Sequence, residues 1–240
     1  MATGARYAIT GYSAYRPERE AIPVAANACV IGIDVALERL DAGESLGERI
    51  VIVDDGRKLG FHSWHLVPKA ALLDPELTRG LPPLLTAATG MDAIAHCLET
   101  FMAPAVNPPA DGIALDGLAR GWSHIERATR DGSDMDARWQ MMSASMQGAM
   151  AFQKGLGCVH SLSHSLGGVN PKLHHGTLNA MFLPAVIRFD AASESMQRDQ
   201  RLQRMAQARG LASCDARGSE LADAIRDINA RLGLPRGLAA

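Results

Sequence analysis

The spacing of apolar residues changes character near residue 81. Upstream, Arg49-Ile50-Val51-Ile52-Val53 is a short β-branched run, closed by the turn chemistry of Asp54-Asp55-Gly56. Leu66 to Leu73 reads as a second extended piece ending at Asp74-Pro75, and Val24 to Leu40, broken by Gly32, fits a strand running into a helix. After Pro82-Pro83 the pattern becomes helical. Leu84 to Met102 is rich in Ala, Leu and Met, with Thr86 and Thr89 as candidate caps. Prolines 104, 108 and 109 separate it from a second helix over Asp111 to Ala128, which carries Ile113, Leu115, Leu118 and Trp122 on its apolar positions. Further helices are expected over Asp136 to Phe152, Cys158 to Leu166, Thr177 to Phe189 with Pro184 inside, Ser193 to Ala208 and Ser219 to Leu232, with Gly167 to Pro171 as a loop. The fold class is therefore mostly α: a helical domain over residues 81–240, preceded by a partial α/β segment over residues 1–80.

Composition adds exclusions. A chain of 240 residues can bury a sizeable core in one domain or two. With 47% hydrophobic and 21% charged residues it has a globular balance, and a net charge of -2 gives no footprint for nucleic acid or an acidic membrane surface. Four cysteines without CxxC spacing read as reduced, buried thiols. No apolar run is long enough to span a bilayer, and the N-terminus has no clean apolar signal core, so a cytoplasmic location is expected by default.

The candidate chemistry lies in the histidines. Asp92 and His96 are four residues apart, as are His160 and His164, and His174-His175 follow. Residues at i and i+4 share a helix face. Two helices can therefore bring an Asp/His pair and a His/His pair to one point, with one of the adjacent histidines completing the set. One carboxylate and three imidazoles suit a divalent transition metal such as iron or zinc. Singly, each residue has a blander reading: Asp92 as a charge near a helix N-terminus, His96 as a polar face residue, His160 and His164 as core histidines bonded to carbonyls. Taken together, the set favours the metal. His62 and His65 flank Trp64 and read as surface or interface residues, and His124 as solvated beside Arg120 and Glu126. The stripe Met141, Met142, Met146 and Met150 reads as core packing. Gly155 and Gly157 read as a helix break that permits close approach, and Arg198, Arg201 and Arg204 as a solvated helix face.

Several stretches in order resemble one family. Thr89-Gly90-Met91-Asp92-Ala93-Ile94-Ala95-His96 resembles the signature of the iron-containing (group III) alcohol dehydrogenases, as does Gly155 to His164 continuing through Gly167-Gly168 to His175-Gly176-Thr177-Leu178-Asn179-Ala180. Asp74-Pro75-Glu76-Leu77-Thr78 and Leu81-Pro82-Pro83 look like the family's approach to its helical domain. The resemblance implies an N-terminal Rossmann-like nucleotide domain and an all-helical metal-binding domain. It implies Asp92, His96, His160 and His175 as ligands of Fe2+ (or Zn2+), and His164 as a catalytic histidine near the substrate. It further implies hydride transfer between NAD(P) and a small alcohol or aldehyde. Partners of that kind are small molecules, neither nucleic acid nor membrane, and there is room for a homo-oligomer.

Two departures qualify the resemblance. The family's Gly-Gly-Gly-Ser run followed by Asp is absent, and so is its Thr-Thr-rich segment before Ile52. The chain resembles a family member lacking most of the nucleotide domain and the C-terminal end. The nearest glycine-bearing substitute, Gly43-Glu44-Ser45-Leu46-Gly47, puts Glu44 where a phosphate would be repelled. Metal binding with weak or absent dinucleotide binding is the expectation. Two functions stay open: a metal- and NAD(P)-dependent alcohol dehydrogenase, and a catalytically incompetent metal-binding helical domain. A zinc hydrolase would need a general-base carboxylate beside the metal, and no HExxH is present.

Overall fold

A computed structural model of the chain describes residues 49–54, 57–62, 73–170 and 172–238. Strand β1 (Arg49–Asp54) pairs antiparallel with β2 (Arg57–His62), with Arg49 opposite His62 and Asp54 opposite Arg57. The β-branched run announces β1. Arg57-Lys58-Leu59-Gly60-Phe61-His62 has no such run, and pairing with β1 supplies what its composition lacks. The expected elements over Val24 to Leu40 and residues 66–72 lie outside the described residues.

From Pro83 onward the described structure is helical: α1 (Pro83–Met102), α2 (Pro108–Arg130), α3 (Met135–Ala151), α4 (Cys158–Val169), α5 (His175–Asp190), α6 (Glu194–Gln197), α7 (Arg201–Ala208) and α8 (Ser219–Arg231). A 3-10 turn over Pro75–Thr78 precedes them, with the Asp74 carboxylate accepting from the Glu76 amide at 3.0 Å.

Helix α1 is the axis of the domain. Every residue from Gly90 to Met102 is buried, the pattern of a helix packed on all sides rather than along one stripe. It packs against α2, α3 and α5. Met91, Ile94, Leu98 and Phe101 meet Leu118 and Ile125 of α2, Leu183 and Ile187 of α5, and Leu221, Ile225 and Ile228 of α8 in one core. Pro83 opens α1 at the position where a missing N–H costs nothing. Thr86 and Thr89 do not cap it. Their hydroxyls reach back to carbonyls, that of Thr89 donating to Leu85 O at 2.9 Å inside the helix. The true caps are elsewhere: Asn107 accepts from Ala110 N (3.3 Å) to open α2, and Asp134 from Ala137 N (3.0 Å) to open α3.

Five further expectations are corrected. Gly167-Gly168-Val169 continues α4 instead of forming a loop, with Gly167 buried, despite the poor helix propensity of glycine. The segment Ser193 to Ala208 is not one helix: Asp199 and Gln200 take φ of 55° and 53° and break it before α7. That break turns Arg201 inward, so the arginine face is not wholly solvated. Arg201 is 1% exposed, and its guanidinium donates to Phe101 O and, at 2.7 Å, to Ala103 O, carbonyls that the end of α1 leaves without helical partners. Lys154 joins it, donating to Phe101 O at 3.2 Å and pairing with Asp111. The methionine stripe is core only in its first half, with Met141 and Met142 buried and Met150 exposed. Of the cysteines described, all reduced, Cys97 is buried but Cys158 is exposed. Among the described residues no helix is long and apolar enough to cross a membrane.

Candidate metal centre

Helix α1 presents Asp92 and His96 on one face, as the i, i+4 spacing requires, and both are fully buried. Helix α4 brings His160, 2% exposed, against them, and α5 brings His175, 8% exposed, in its first turn. The His96 and His160 rings stack with centroids 4.3 Å apart and planes 21° from parallel. Donor atoms of Asp92, His96 and His160 all lie within 4.8 Å of one another. His175 joins from the side, its Nε2 3.9 Å from Asp92 Oδ1 and its ring centroid 5.3 Å from that of His160. His160 Nε2 is 3.6 Å from the same oxygen. Ligands of a tetrahedral ion with bonds near 2.1 Å sit roughly 3.4 Å apart, and the two edges from Asp92 Oδ1, 3.6 and 3.9 Å, lie a little beyond that.

Close helix contact makes this possible. A Cβ on Gly176 would lie 2.4 Å from Ala88 O, so only glycine lets the first turn of α5 rest on the α1 backbone and carry His175 to Asp92. Gly155 has φ of 94° in the turn between α3 and α4, a conformation natural to glycine, and Gly157 starts α4. The expected helix break with close approach is present at this pair: a Cβ on Gly157 would be 2.8 Å from Glu99 Oε1.

Asn179, one turn beyond His175, faces the same point. Its side-chain nitrogen donates to Asp92 Oδ1 and lies 3.1 Å from His160 Nε2 and 2.9 Å from His175 Nε2. Its NH2 therefore lies against one carboxylate oxygen and two ring nitrogens. Asp92 Oδ2 is buried without a hydrogen-bond partner among the described residues. A buried point lined by a carboxylate and several ring nitrogens fits a cation, and the N/O donor set suits iron or zinc.

The electrostatics point the same way. Burial pushes the His96 pKa down to about 3, against the opposing pull of Asp92, and takes His175 well below its ordinary value. Both imidazoles are neutral at pH 7 with lone pairs to offer. Burial of Asp92 favours its neutral form, but the surrounding histidines, His96 foremost, outweigh it and hold the carboxyl well below 3.8. His160 differs: burial opposes its charged form, yet bonds to Asp92 and Glu99 hold its pKa up to about 10, so a cation would have to displace the proton on Nε2.

The other sequence candidates fall into place around this cluster. His164 sits one turn after His160 and is half-buried, its ring 4.6 Å from that of His175 and 6.1 Å from that of His160. His174 is the N-cap of α5, its ring nitrogen accepting from Thr177 N at 3.3 Å. His124 is half-buried on α2, its Nδ1 2.8 Å from Arg120 O. His65 lies outside the described residues.

Two residues of the cluster escaped the sequence reading, Glu99 and Asn179. Glu99 is 1% exposed, and its carboxylate accepts from Val159 N (2.8 Å), His160 N (3.2 Å) and His160 Nδ1. The signal was present: Asp92, His96 and Glu99 run i, i+4, i+7 on one face, and Asn179 follows His175 by four.

Comparison with known proteins agrees with the architecture. The C-terminal profile of the Fe-containing alcohol dehydrogenase family matches residues 86–240. The chain is similar to the 4-hydroxybutyrate dehydrogenase of Cupriavidus necator, 68% identical over 193 residues, which are 79% of this chain and 50% of that protein. Its structure is similar to that of a 1,3-propanediol oxidoreductase, with a TM-score of 0.72 and 31% identity across 80% of this chain and 51% of that one. It is also similar to the sulfoacetaldehyde reductase of Bifidobacterium kashiwanohense in complex with NAD+, with a TM-score of 0.71 and 26% identity across 80% of this chain and 49% of that one. The chain spans about half the length of the relatives it matches. With the family profile covering well over half of its residues, and its mostly helical architecture shared with solved relatives, the chain belongs to the Fe-containing alcohol dehydrogenase family.

Proposed function

We propose that Asp92, His96, His160 and His175 hold a divalent ion, Fe2+ or Zn2+, and that the chain carries the metal half of an NAD(P)-dependent alcohol dehydrogenase. The observation that carries the reading is the meeting of four buried donor side chains from three helices. When bound, such an ion acts as a Lewis acid on an alcohol oxygen, favouring the alkoxide from which a hydride can leave for the nicotinamide. The chain's own residues supply the rest. Asp92 balances part of the charge, and three imidazoles leave the site net positive, which suits an alkoxide. His164, beside His175 but less buried than the cluster, holds or passes the hydroxyl proton. The substrate is a small alcohol or aldehyde, and the 68% identity to a 4-hydroxybutyrate dehydrogenase makes 4-hydroxybutyrate the first to test.

A second reading has its own support. All four donors come from helices α1, α4 and α5, so the helical domain by itself can hold the metal, as a metal-binding domain with weak dinucleotide binding and no turnover. Calorimetry of the metal-loaded chain with NADH and NADPH, together with a 4-hydroxybutyrate oxidation assay, separates the two. Micromolar binding of either dinucleotide, or turnover, supports the dehydrogenase; metal uptake with neither supports the second reading. A purified chain that takes up neither iron nor zinc, or a His160→Ala variant with unchanged metal content, sinks both.

A further inference from the structure

Glu99 is a buried carboxylate outside the four-residue donor set, and among the described residues its side chain hydrogen-bonds to the start of α4. Its Oε1 accepts from Val159 N at 2.8 Å, while Oε2 accepts from His160 N at 3.2 Å and from His160 Nδ1. A carboxyl group 1% exposed is costly to bury unless its oxygens are hydrogen-bonded. Two amides at the N-terminus of a twelve-residue helix, with that helix's dipole behind them, satisfy them here. Gly157 leaves the space, since any side chain there would begin 2.8 Å from Oε1. Capping α4 needs only the amides. The third contact, to the ring, gives Glu99 a further role, because it holds one nitrogen of an imidazole whose other nitrogen faces Asp92.

We propose that Glu99 is a positioning residue for the metal centre, keeping a proton on Nδ1 of His160 so that Nε2, which faces Asp92, is the nitrogen left for a metal. This rests on the metal reading above. An imidazole offers a metal one lone pair, and which nitrogen offers it is decided by the hydrogen bond at the other. A carboxylate only accepts hydrogen bonds, so it permits Nδ1–H and forbids the opposite tautomer. The same contact fixes the ring's rotation. Because Glu99 shares the face of α1 that carries Asp92 and His96, one helix supplies two of the donors and the orientation of a third.

The test uses the full chain, stripped of metal and titrated with cobalt(II), with the visible d–d spectrum recorded. Glu99→Gln keeps the shape and can still accept from Val159 N, but its NH2 cannot accept a proton from Nδ1. The cobalt Kd is expected to rise about 10- to 100-fold with an altered d–d band. In a His160→Ala background the same substitution should change the cobalt Kd no further, because the ring through which Glu99 acts is gone. Cobalt binding by Glu99→Gln at wild-type affinity overturns the proposal, and so does an equal loss in both backgrounds, which would mark Glu99 as a helix cap alone. A measurement on the unmutated chain guards against a variant that does not fold. Long-range 15N–1H spectra of the zinc-loaded protein should show His160 protonated at Nδ1, and protonation at Nε2 overturns the proposal. If the wild-type chain binds neither cobalt nor zinc, the metal reading fails first and takes this one with it.

Discussion

Replacing Gly176 by Ala tests how tightly the centre is built. The added methyl would sit 2.4 Å from Ala88 O and 2.9 Å from the carbon of the same carbonyl, both backbone atoms on the central helix. Neither can rotate away, so α5 must lift from α1. Bringing the closest contact to even 3.0 Å needs roughly 0.6 Å of separation, in an interior with little slack. Overpacking of this kind costs about 1–3 kcal/mol. For a chain of this size that is a fall in Tm of roughly 2–12 °C. His175 is the adjacent residue and rides the same turn, and a shift of that size is several times the ~0.2 Å tolerance of a metal–ligand distance. Cobalt affinity should therefore fall by about tenfold or more, as when a residue supporting a metal ligand is changed. Thermal melts followed by circular dichroism, with and without cobalt(II), read both effects. Gly168→Ala is the control: it lies in α4 with nothing within 4 Å of its Cβ, and should stabilise by roughly 0.5–1 kcal/mol through helix propensity. A Gly176→Ala protein that melts and binds cobalt like wild type would refute the idea that the first turn of α5 is locked on the α1 backbone.

Two further outcomes are expected. Arg201→Ala removes a buried guanidinium from Phe101 O and Ala103 O and from the vicinity of Asp111, and should cost about 3–5 kcal/mol in urea unfolding; a loss under about 1 kcal/mol would show these carbonyls finding other donors. Asp134→Ala should lower stability at neutral pH in a pH-dependent way. The Ala137 amide, and after it the Arg127 guanidinium, hold the Asp134 carboxyl below 3.8 in the folded state, so its contribution is present above that value and is lost as the pH falls through the lowered one. Melts from pH 7 down to pH 2 should show the gap to wild type closing, and a constant gap would contradict the assignment.

The chain's own pattern was enough to locate most helices, because a run of apolar residues at helical spacing is a local property. It was also enough to pair Asp92 with His96 and His160 with His164, since four residues is one turn. Ends were harder to read. The last turn of α4 contains two glycines that argue for a loop when taken alone, yet the turn is helical with Gly167 buried. The break at Asp199 and Gln200 has no proline or glycine to announce it, and the inward turn of Arg201 becomes intelligible only once the end of α1 lies beside it. The same holds at the centre. Periodicity places Glu99 on the face of Asp92 and His96, but a buried glutamate on an apolar helix has no evident purpose until α4 arrives with its two amides and one imidazole. Sequence specifies faces and turns through interactions within a few residues. The approach of one helix to another, through the single missing methyl of Gly176 or Gly157, depends on contacts about 90 and 60 residues apart along the chain, and only the folded structure sets them.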